Sequence, residues 1–194
     1  MSFGRGEMAR KEKIFERYRR SADGQFVIDV SAGKIEDLYD DFDREAPYIV
    51  KELEANLVEY ITESARELGK QPFRIHFSLE RTPGEAVKER TRASLRNYFL
   101  YLRDIQLRGL RRTLRTSLIF LVIGLAIMFA SVWVNQDINQ ATPVVEKVFA
   151  TGLTVASWVA MWEAVANFLI NWRPYRNDMK LYQRLAQAEV EFRD

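Results

Sequence analysis

The sequence predicts an α-helical membrane hairpin of two transmembrane helices, joined to a small cytoplasmic α+β domain. Two long apolar segments carry this prediction: residues 117–134 contain no charged side chain, and residues 148–172 contain only Glu163. Each segment is long enough to cross a bilayer, which takes about 20 helical residues. The preceding residues 25–82 switch between strand-like and helix-like apolar patterns, which indicates a β-α-β unit.

Charge is segregated along the 194-residue chain. Its 29 Lys+Arg and 27 Asp+Glu residues lie almost wholly outside the two apolar segments. Cysteine is absent from the sequence, which excludes a disulfide framework, a thiolate zinc site and a cysteine nucleophile. Residues 1–24 form a basic N-terminal arm rather than a signal peptide, because they are charged where a signal peptide is apolar. We expect a solvated arm, with a membrane-touching segment as the alternative.

The predicted cytoplasmic β-α-β domain spans residues 25–82. Residues 25–30 have strand composition, and residues 72–80 alternate between apolar and polar side chains as a half-buried strand does. Between them, apolar residues recur every three or four positions over 47–68, which predicts an amphipathic helix ended by Gly69. If the two strands pair directly, we expect a parallel pair with a right-handed crossover. Two strands and one helix are a marginal core, so the next helix or another copy of the chain should complete it.

A long helix should connect this domain to the membrane. Residues 84–116 read as a juxtamembrane helix weakened only by Gly109, and no breaker separates them from the first span at 117–135. We therefore expect one nearly continuous helix, with the long juxtamembrane segment continuous with the first span and roughly 75 Å in length. The remaining predicted segments are an extracytoplasmic loop (136–147), a second span (148–172) and a cytoplasmic C-terminal tail (173–194).

Basic residues on the outer flanks of the hairpin predict its orientation. Lys and Arg are retained on the cytoplasmic side, and Lys147 is the only basic residue of the loop. We therefore expect a protein of the inner (cytoplasmic) membrane with both termini in the cytoplasm. Trp133 and Trp172 are predicted interface anchors. Because the basic residues lie beside the spans, we expect contacts with anionic lipid and none with nucleic acid. The predicted lipid-contacting residues are Arg108, Arg111, Arg112, Arg115, Arg173 and Arg176.

The second span carries two patterns at four-residue spacing. A predicted intramembrane polar stripe consists of Glu163, Asn167 and Asn171, and a predicted helix-packing stripe consists of Gly152, Ala156, Ala160 and Ala164. An ionisable group inside lipid is costly unless protein or water accommodates it. Glu163 therefore has three interpretations: a hydrogen-bonded packing carboxyl, part of a ring that lines a cation path, or a proton relay or lipid-headgroup contact.

The region around the second span resembles two groups of known membrane proteins. The Trp-Glu pair at Trp162 and Glu163, with two spans and both termini on one side, loosely resembles calcium-uniporter-type channels in architecture, without their paired-carboxylate pore signature. Residues 158–185 (WVAMWEAVANFLINWRPYRNDMKLYQRL) more closely resemble a group of uncharacterised prokaryotic two-span membrane proteins with a Trp-x-Pro-basic exit from the second span. That resemblance covers most of the chain and implies its architecture, because no function is established for the group.

No catalytic motif stands out in the sequence. The acidic residues in 36–45 match no calcium loop and are typical of the solvated side of a short helix, while His76 lies on the polar face of a predicted strand. We therefore expect neither an enzyme nor a metal or other cofactor. The favoured function is a homo-oligomeric membrane scaffold or accessory subunit with a cytoplasmic docking domain and a protein partner on that side. The alternative is a small oligomeric cation channel with Glu163, Asn167 and Asn171 facing the pore.

The orientation is testable because the chain has no native cysteine. In intact cells, an impermeant thiol reagent should label Asn139→Cys, in the loop, and should leave Asp178→Cys unlabelled until the membrane is permeabilised. Labelling of position 178 but not of position 139 from outside would contradict the predicted orientation.

Overall fold

The computed structural model of the protein describes residues 14–40, 52–136, 143–170 and 172–193, apart from the side chain of Asn167. In these ranges the chain is mostly helical, with four α-helices of 14 residues or more and a small mixed sheet. The helices are α1 (Ala55–Leu68), α2 (Glu85–Gln136), α3 (Val144–Leu169) and α4 (Trp172–Gln187). The strands are β1 (Arg19–Arg20), β2 (Phe26–Ala32), β3 (Phe73–Leu79) and β4 (Glu189–Arg193), with a 3₁₀ turn at Ile35–Leu38.

The sheet has the strand order β1-β2-β3-β4. Strands β1 and β2 pair antiparallel, whereas β2 with β3 and β3 with β4 pair in parallel. Helix α1 lies in the connection between β2 and β3, and the register places Ile28 opposite Ile75. The predicted β-α-β unit with parallel strands is therefore confirmed.

Helix α1 covers the sheet with one apolar side, whose members Leu57, Ile61, Ala65 and Leu68 are all buried in the domain core. It begins at Ala55 rather than at residue 47, and residues 41–51 lie outside the described ranges. Leu53 instead forms an antiparallel bridge with Tyr39. The Glu54 carboxylate then accepts a 2.7 Å hydrogen bond from the Leu57 amide, which caps the helix and fixes its start. Gly69 ends it at a φ of +60°, as the sequence predicts.

The core is completed by the next long helix, one of the two possibilities expected from the sequence. Leu95 and Phe99 of α2 are buried in the same cluster as the sheet residues, with exposures of 2% and 0%. Leu181 and Leu185 of α4 join them. Helices at both ends of the apolar hairpin thus contribute to one core.

The C-terminal segment differs from the tail predicted at 173–194. It forms α4 and then β4, which lies beside β3, and the Phe192 ring stacks on Phe77 with 5.5 Å between the ring centroids. The described residues up to Arg103 and those from Met179 onward form one compact unit, and Asp104–Asp178 form a second. The apolar hairpin is therefore an insertion in the chain of the sheet domain. The alternation of Val190 and Phe192 with charged neighbours was the available sequence signal.

The basic arm predicted for residues 1–24 also contains structure within its described part. Arg20 pairs with Phe26 as part of β1, and Phe15 packs against the core with its ring 5.2 Å from that of Phe26. Residues 14–24 are thus part of the folded domain rather than a solvated arm. Residues 1–13 lie outside the described ranges.

Two helices are long and apolar enough to cross a membrane by their length and composition, namely α2 and α3. The apolar windows that satisfy this test are only 17% buried in each helix, so most of their large side chains face outward. A soluble core helix would bury such a window.

Removing the aromatic contact of β4 should destabilise the sheet domain. Phe192→Ala loses the stacking on Phe77 and part of the apolar surface of a half-buried ring, which should cost about 1–3 kcal/mol. Arg193→Ala, next to it at the end of the same strand, is the matched control and should be near neutral. Urea denaturation followed by circular dichroism in mild detergent measures both, and equal stabilities would contradict the contribution of β4 to the core.

Candidate functional site

Helices α2 and α3 of the hairpin contact each other through small residues spaced seven apart. A seven-residue spacing keeps one seam of a helix facing its neighbour, and small side chains let the two backbones approach closely. On α2 the buried members of this seam are Ser117, Gly124 and Ser131, and on α3 they are Ala150, Ser157 and Ala164.

Gly124 is the tightest point of this seam. A Cβ atom added there would lie 2.9 Å from the Met161 Cγ and 3.1 Å from the Met161 backbone nitrogen. The backbone nitrogen cannot move away as a flexible side chain could, so only glycine fits between the helices at this point.

The polar side chains of the seam are hydrogen-bonded within the hairpin. The Ser131 and Thr154 hydroxyls lie 2.7 Å apart across the two helices, and the Asn135 amide donates to the Ser131 carbonyl oxygen at 2.8 Å. Ser117 and Ser157 each donate to a carbonyl oxygen of their own helix. These groups can therefore lie in an apolar environment without the cost of an unmade hydrogen bond.

The predicted packing stripe divides between two surfaces. Ala164 is 5% exposed in the seam, and the Ala160 Cβ is 3.4 Å from the position of a Cβ on Gly124. Gly152 and Ala156 are exposed on a different side of α3, and a Cβ added to Gly152 would meet no atom within 4 Å. Only the later half of the stripe contacts α2.

Glu163 lies on the side of α3 that carries Gly152 and Ala156, and its side chain is exposed on the hairpin surface. We call this surface, defined by Gly152, Ala156 and Glu163, the Glu163 face. The side chain of Asn167 and the whole of Asn171 lie outside the described residues, so their alignment with Glu163 stays a prediction.

The remaining outward surface of α3 is bulky and apolar. Trp158 and Trp162 are 70% and 72% exposed, and they lie beside Val165 and Leu169 on a side separated from the Glu163 face. Adjacent residues of a helix point about 100° apart, which places Trp162 and Glu163 on different surfaces. The hairpin thus presents two unlike faces.

The predicted basic and aromatic residues at the ends of the hairpin are mostly exposed. Trp133 is 75% exposed, whereas Trp172 is half-buried beneath the Arg176 guanidinium, which lies 5.2 Å from its ring centroid. The ring of Tyr175 lies against α2 at Gly109, where a Cβ would come within 2.5 Å of it, which explains a glycine inside a long helix. Exposed side chains are found for all the predicted lipid-contacting residues, Arg108, Arg111, Arg112, Arg115, Arg173 and Arg176.

A groove of about 620 Å³ lies between α2 and α3 near these arginines, and no pattern in the sequence predicts it directly. We call it the hairpin groove. Its lining side chains are Leu114, Ser117, Leu118 and Leu121 of α2 and Ala164, Val165, Phe168 and Leu169 of α3. Its walls are almost wholly apolar, since Ser117 donates its hydroxyl to the Thr113 carbonyl oxygen.

Charged residues on the polar side of the sheet pair with one another. His76 is 7% exposed, and its Nδ1 is 2.8 Å from the Asp29 Oδ1, while the Arg19 Nε donates to Asp29 at 2.8 Å. The bond from Arg19 lowers the pKa of Asp29, and the bond from His76 adds to this effect against an opposing desolvation. Arg74 binds Glu191 and Asp23 at 2.6 and 2.5 Å.

Among the described residues, no group of three His, Asp or Glu side chains is arranged to hold a metal ion. Within the predicted acidic cluster, Asp37 accepts a 2.8 Å hydrogen bond from the Lys34 amide at the start of the 3₁₀ turn, and residues 41–45 lie outside the described ranges. His76 is buried rather than presented on a solvated strand face as its alternation suggested.

No protein-family model matches the chain, and no curated protein or solved structure is significantly similar to it.

Loss of the Asp29 carboxylate should make the stability of the sheet domain less dependent on pH. Because the pKa of Asp29 is lowered in the folded state, its ion pairs stabilise the fold fully at a pH above the ordinary aspartate pKa of about 3.9. This contribution is lost as the pH falls through the lower pKa that Asp29 has in the folded state. Asp29→Asn should therefore unfold at lower temperature than wild type at pH 7, and the gap should close towards pH 3. Thermal unfolding across this range tests it, with the exposed Glu59→Gln as control.

Gly124 and Gly152 form a matched pair for testing the seam. In a variant with Ser131→Cys and Thr154→Cys, oxidation should form a disulfide within the chain, because the two native hydroxyls touch. Adding Gly124→Leu should suppress this disulfide, since overpacking at a close contact costs about 1–3 kcal/mol. Gly152→Leu should leave it intact. Equal cross-linking in both glycine variants would contradict the close approach at Gly124.

Proposed function

We propose that the protein is a two-pass integral membrane protein that holds a folded domain at the cytoplasmic face of the inner membrane. In this proposal it acts as a non-enzymatic, homo-oligomeric scaffold or accessory subunit. The observation that carries the proposal is the pairing of β3, before the hairpin, with β4, after it. The chain segments before and after the hairpin belong to a single folded domain. Both segments must therefore lie on one side of any membrane that the hairpin crosses.

The charge distribution supports the cytoplasmic side for this domain. Exposed arginines flank both ends of the hairpin that connect to the domain, whereas residues 136–147, predicted as the loop between the spans, contain Lys147 as their only basic residue. Basic residues in short flanking segments are retained on the cytoplasmic side during insertion. A domain held there can present its surface to a protein partner in the cytoplasm.

The sheet supports a structural rather than a catalytic role for its charged residues. Arg19, Asp29 and His76 form one linked group, and Arg74 contacts three carboxylates, those of Asp23, Glu189 and Glu191. Charged groups that are held in pairs across strands stabilise the pairing of those strands. We therefore assign this part of the domain to holding the fold.

The Glu163 face supports self-association. A carboxyl group that faces lipid is costly, and small residues such as Gly152 and Ala156 let another helix approach closely. A second copy that covers this face would remove Glu163 from lipid and leave the bulky Trp158 and Trp162 outside. We propose that copies of the chain meet through the Glu163 face.

The same face supports a second candidate function, an oligomeric cation channel. If the Glu163 faces surround a central axis, then Glu163, Asn167 and Asn171 would face the pore, and carboxylate rings select cations. Gly152 and Ala156 would line the other half with small apolar surfaces. This half offers no polar groups to a hydrated ion, which favours the scaffold over the channel.

Substitutions of Glu163 distinguish the two functions. For a scaffold, Glu163→Gln should be nearly silent, because the amide keeps the shape and can still hydrogen-bond, and Glu163→Leu should weaken assembly by about 0.6–2 kcal/mol. The oligomer distribution should be measured by mass photometry in mild detergent across protein concentrations. A monomer at every concentration in the wild type would overturn the proposed assembly.

Ion flux provides the complementary measurement. Wild-type protein reconstituted in liposomes should show no cation flux under an applied potential if it is a scaffold. A flux that Glu163→Gln abolishes while the oligomer survives would instead establish the channel.

A further inference from the structure

We propose that the hairpin groove is a binding site for one anionic phospholipid of the cytoplasmic leaflet. In this site one acyl chain lies between α2 and α3, and Arg111 and Arg115 bind the headgroup phosphate. The inference rests on the proposed membrane insertion and adds to it a specific ligand at a defined place on the hairpin.

The groove has the size and lining that an acyl chain needs. Its volume of about 620 Å³ lies within the range of roughly 300–1,000 Å³ that is typical of small-molecule sites. Leu118 and Phe168, on opposite walls, are 59% and 54% exposed, so the groove opens towards the surroundings of the hairpin. Ser117 uses its hydroxyl on its own helix, so it leaves no donor to attract water.

The arginines stand at the cytoplasmic end of the same groove. Arg111 precedes Leu118 by seven residues, or about two helical turns. It therefore lies on nearly the same side of α2 as Leu118, two turns closer to the start of the helix. Arg115 precedes Leu118 by three residues and flanks the groove. Both side chains are exposed, and neither forms a salt bridge with another residue in the part of the chain that the structure describes.

An apolar groove that ends at unpaired guanidinium groups matches an anionic phospholipid. Basic pockets between transmembrane helices on the cytoplasmic side bind such headgroups, and the planar guanidinium matches phosphate oxygens. A zwitterionic lipid such as phosphatidylcholine also has a phosphate. However, its positive choline group would be brought towards the arginines, so phosphatidylglycerol should bind more tightly.

A lipid fits this groove better than a second copy of the chain. Phe168 and Glu163 are five residues apart on α3 and point about 140° away from each other. If copies meet through the Glu163 face, the groove therefore stays turned towards lipid. This separation also gives the lipid site and the assembly different predicted sensitivities to substitution.

The test is lipid retention by the full-length protein. The protein in mild detergent is mixed with phosphatidylglycerol or with phosphatidylcholine of the same acyl chains, and bound lipids are counted by native mass spectrometry over a range of lipid concentrations. We expect one tightly retained phosphatidylglycerol per chain. Arg111→Gln and Arg115→Gln should each weaken its retention about five-fold, the effect of one basic residue near anionic lipid. The control Arg112→Gln, which points about 120° away from the groove residue Leu118 on α2, should leave it unchanged.

Filling the groove gives an independent arm. Leu118→Trp on α2, or Val165→Trp on α3, should abolish retention, whereas Ile119→Trp, exposed outside the groove, should preserve it. As a folding control, Ser131→Cys and Thr154→Cys are added to each of these variants. Formation of the disulfide between the two cysteines then shows that the hairpin is intact. Two different groove substitutions keep the test decisive if one of them disturbs folding.

The following results would overturn the proposal. Equal retention of the two lipids would remove the selectivity for anionic headgroups, and equal losses from Arg111→Gln, Arg115→Gln and Arg112→Gln would show diffuse surface attraction. Cross-linking of Leu118→Cys between two copies would show that protein occupies the groove. Flotation with vesicles separates this inference from the proposed function: a chain that fails to float contradicts membrane insertion, and one that floats without retaining lipid contradicts only the lipid site.

Discussion

Strand β4 can pair with β3 only if the chain that leaves the hairpin returns to the domain from which it came. The contact between Arg74 and Glu191 spans 117 positions in sequence, and the whole hairpin lies between them. Closing so long a loop costs conformational entropy, although that cost grows only slowly with length. A hairpin whose helices are held together brings the chain segments on its two sides close to each other. This reduces the conformational entropy that is lost when β3 and β4 pair. Domain folding and hairpin packing therefore support each other.

The seam between α2 and α3 meets this requirement in an apolar setting. Inside lipid there is little hydrophobic gain from bringing two apolar helices together, so close packing and hydrogen bonds must hold them. Gly124 brings the backbones near Met161, and the Ser131–Thr154 hydrogen bond joins the helices towards the loop end. With the small residues turned inward, the large residues Trp158 and Trp162 are left for the outside. The unlike faces of α3 follow from this arrangement.

The sequence was informative wherever a pattern was local. Alternation predicted β2 and β3, three-and-four spacing predicted α1, and uninterrupted apolar length predicted the two candidate spans. It was weak where tertiary contacts decide. A five-residue strand at the chain end pairs with a partner before the hairpin, and the Tyr39–Leu53 bridge delays the start of α1. In α3, the four-residue stripe was prominent in sequence, yet the seven-residue spacing through Ser157 forms the contact with α2, because the actual partner selects the face.

The way in which polar groups are paired differs between the sheet domain and the hairpin. In the sheet domain, carboxylates such as Asp29 meet cations, and the pKa of Asp29 is lowered accordingly. In the hairpin, the Ser117 and Ser157 hydroxyls donate to backbone carbonyls of their own helix, so they need no outside partner. Glu163 is an acidic side chain exposed on a face that would lie in lipid, or against protein, if the hairpin spans the membrane. Covering this face with another surface would remove the carboxyl from lipid. If copies of the chain meet through this face, as we propose, Glu163 is covered in the assembly and exposed in the isolated chain.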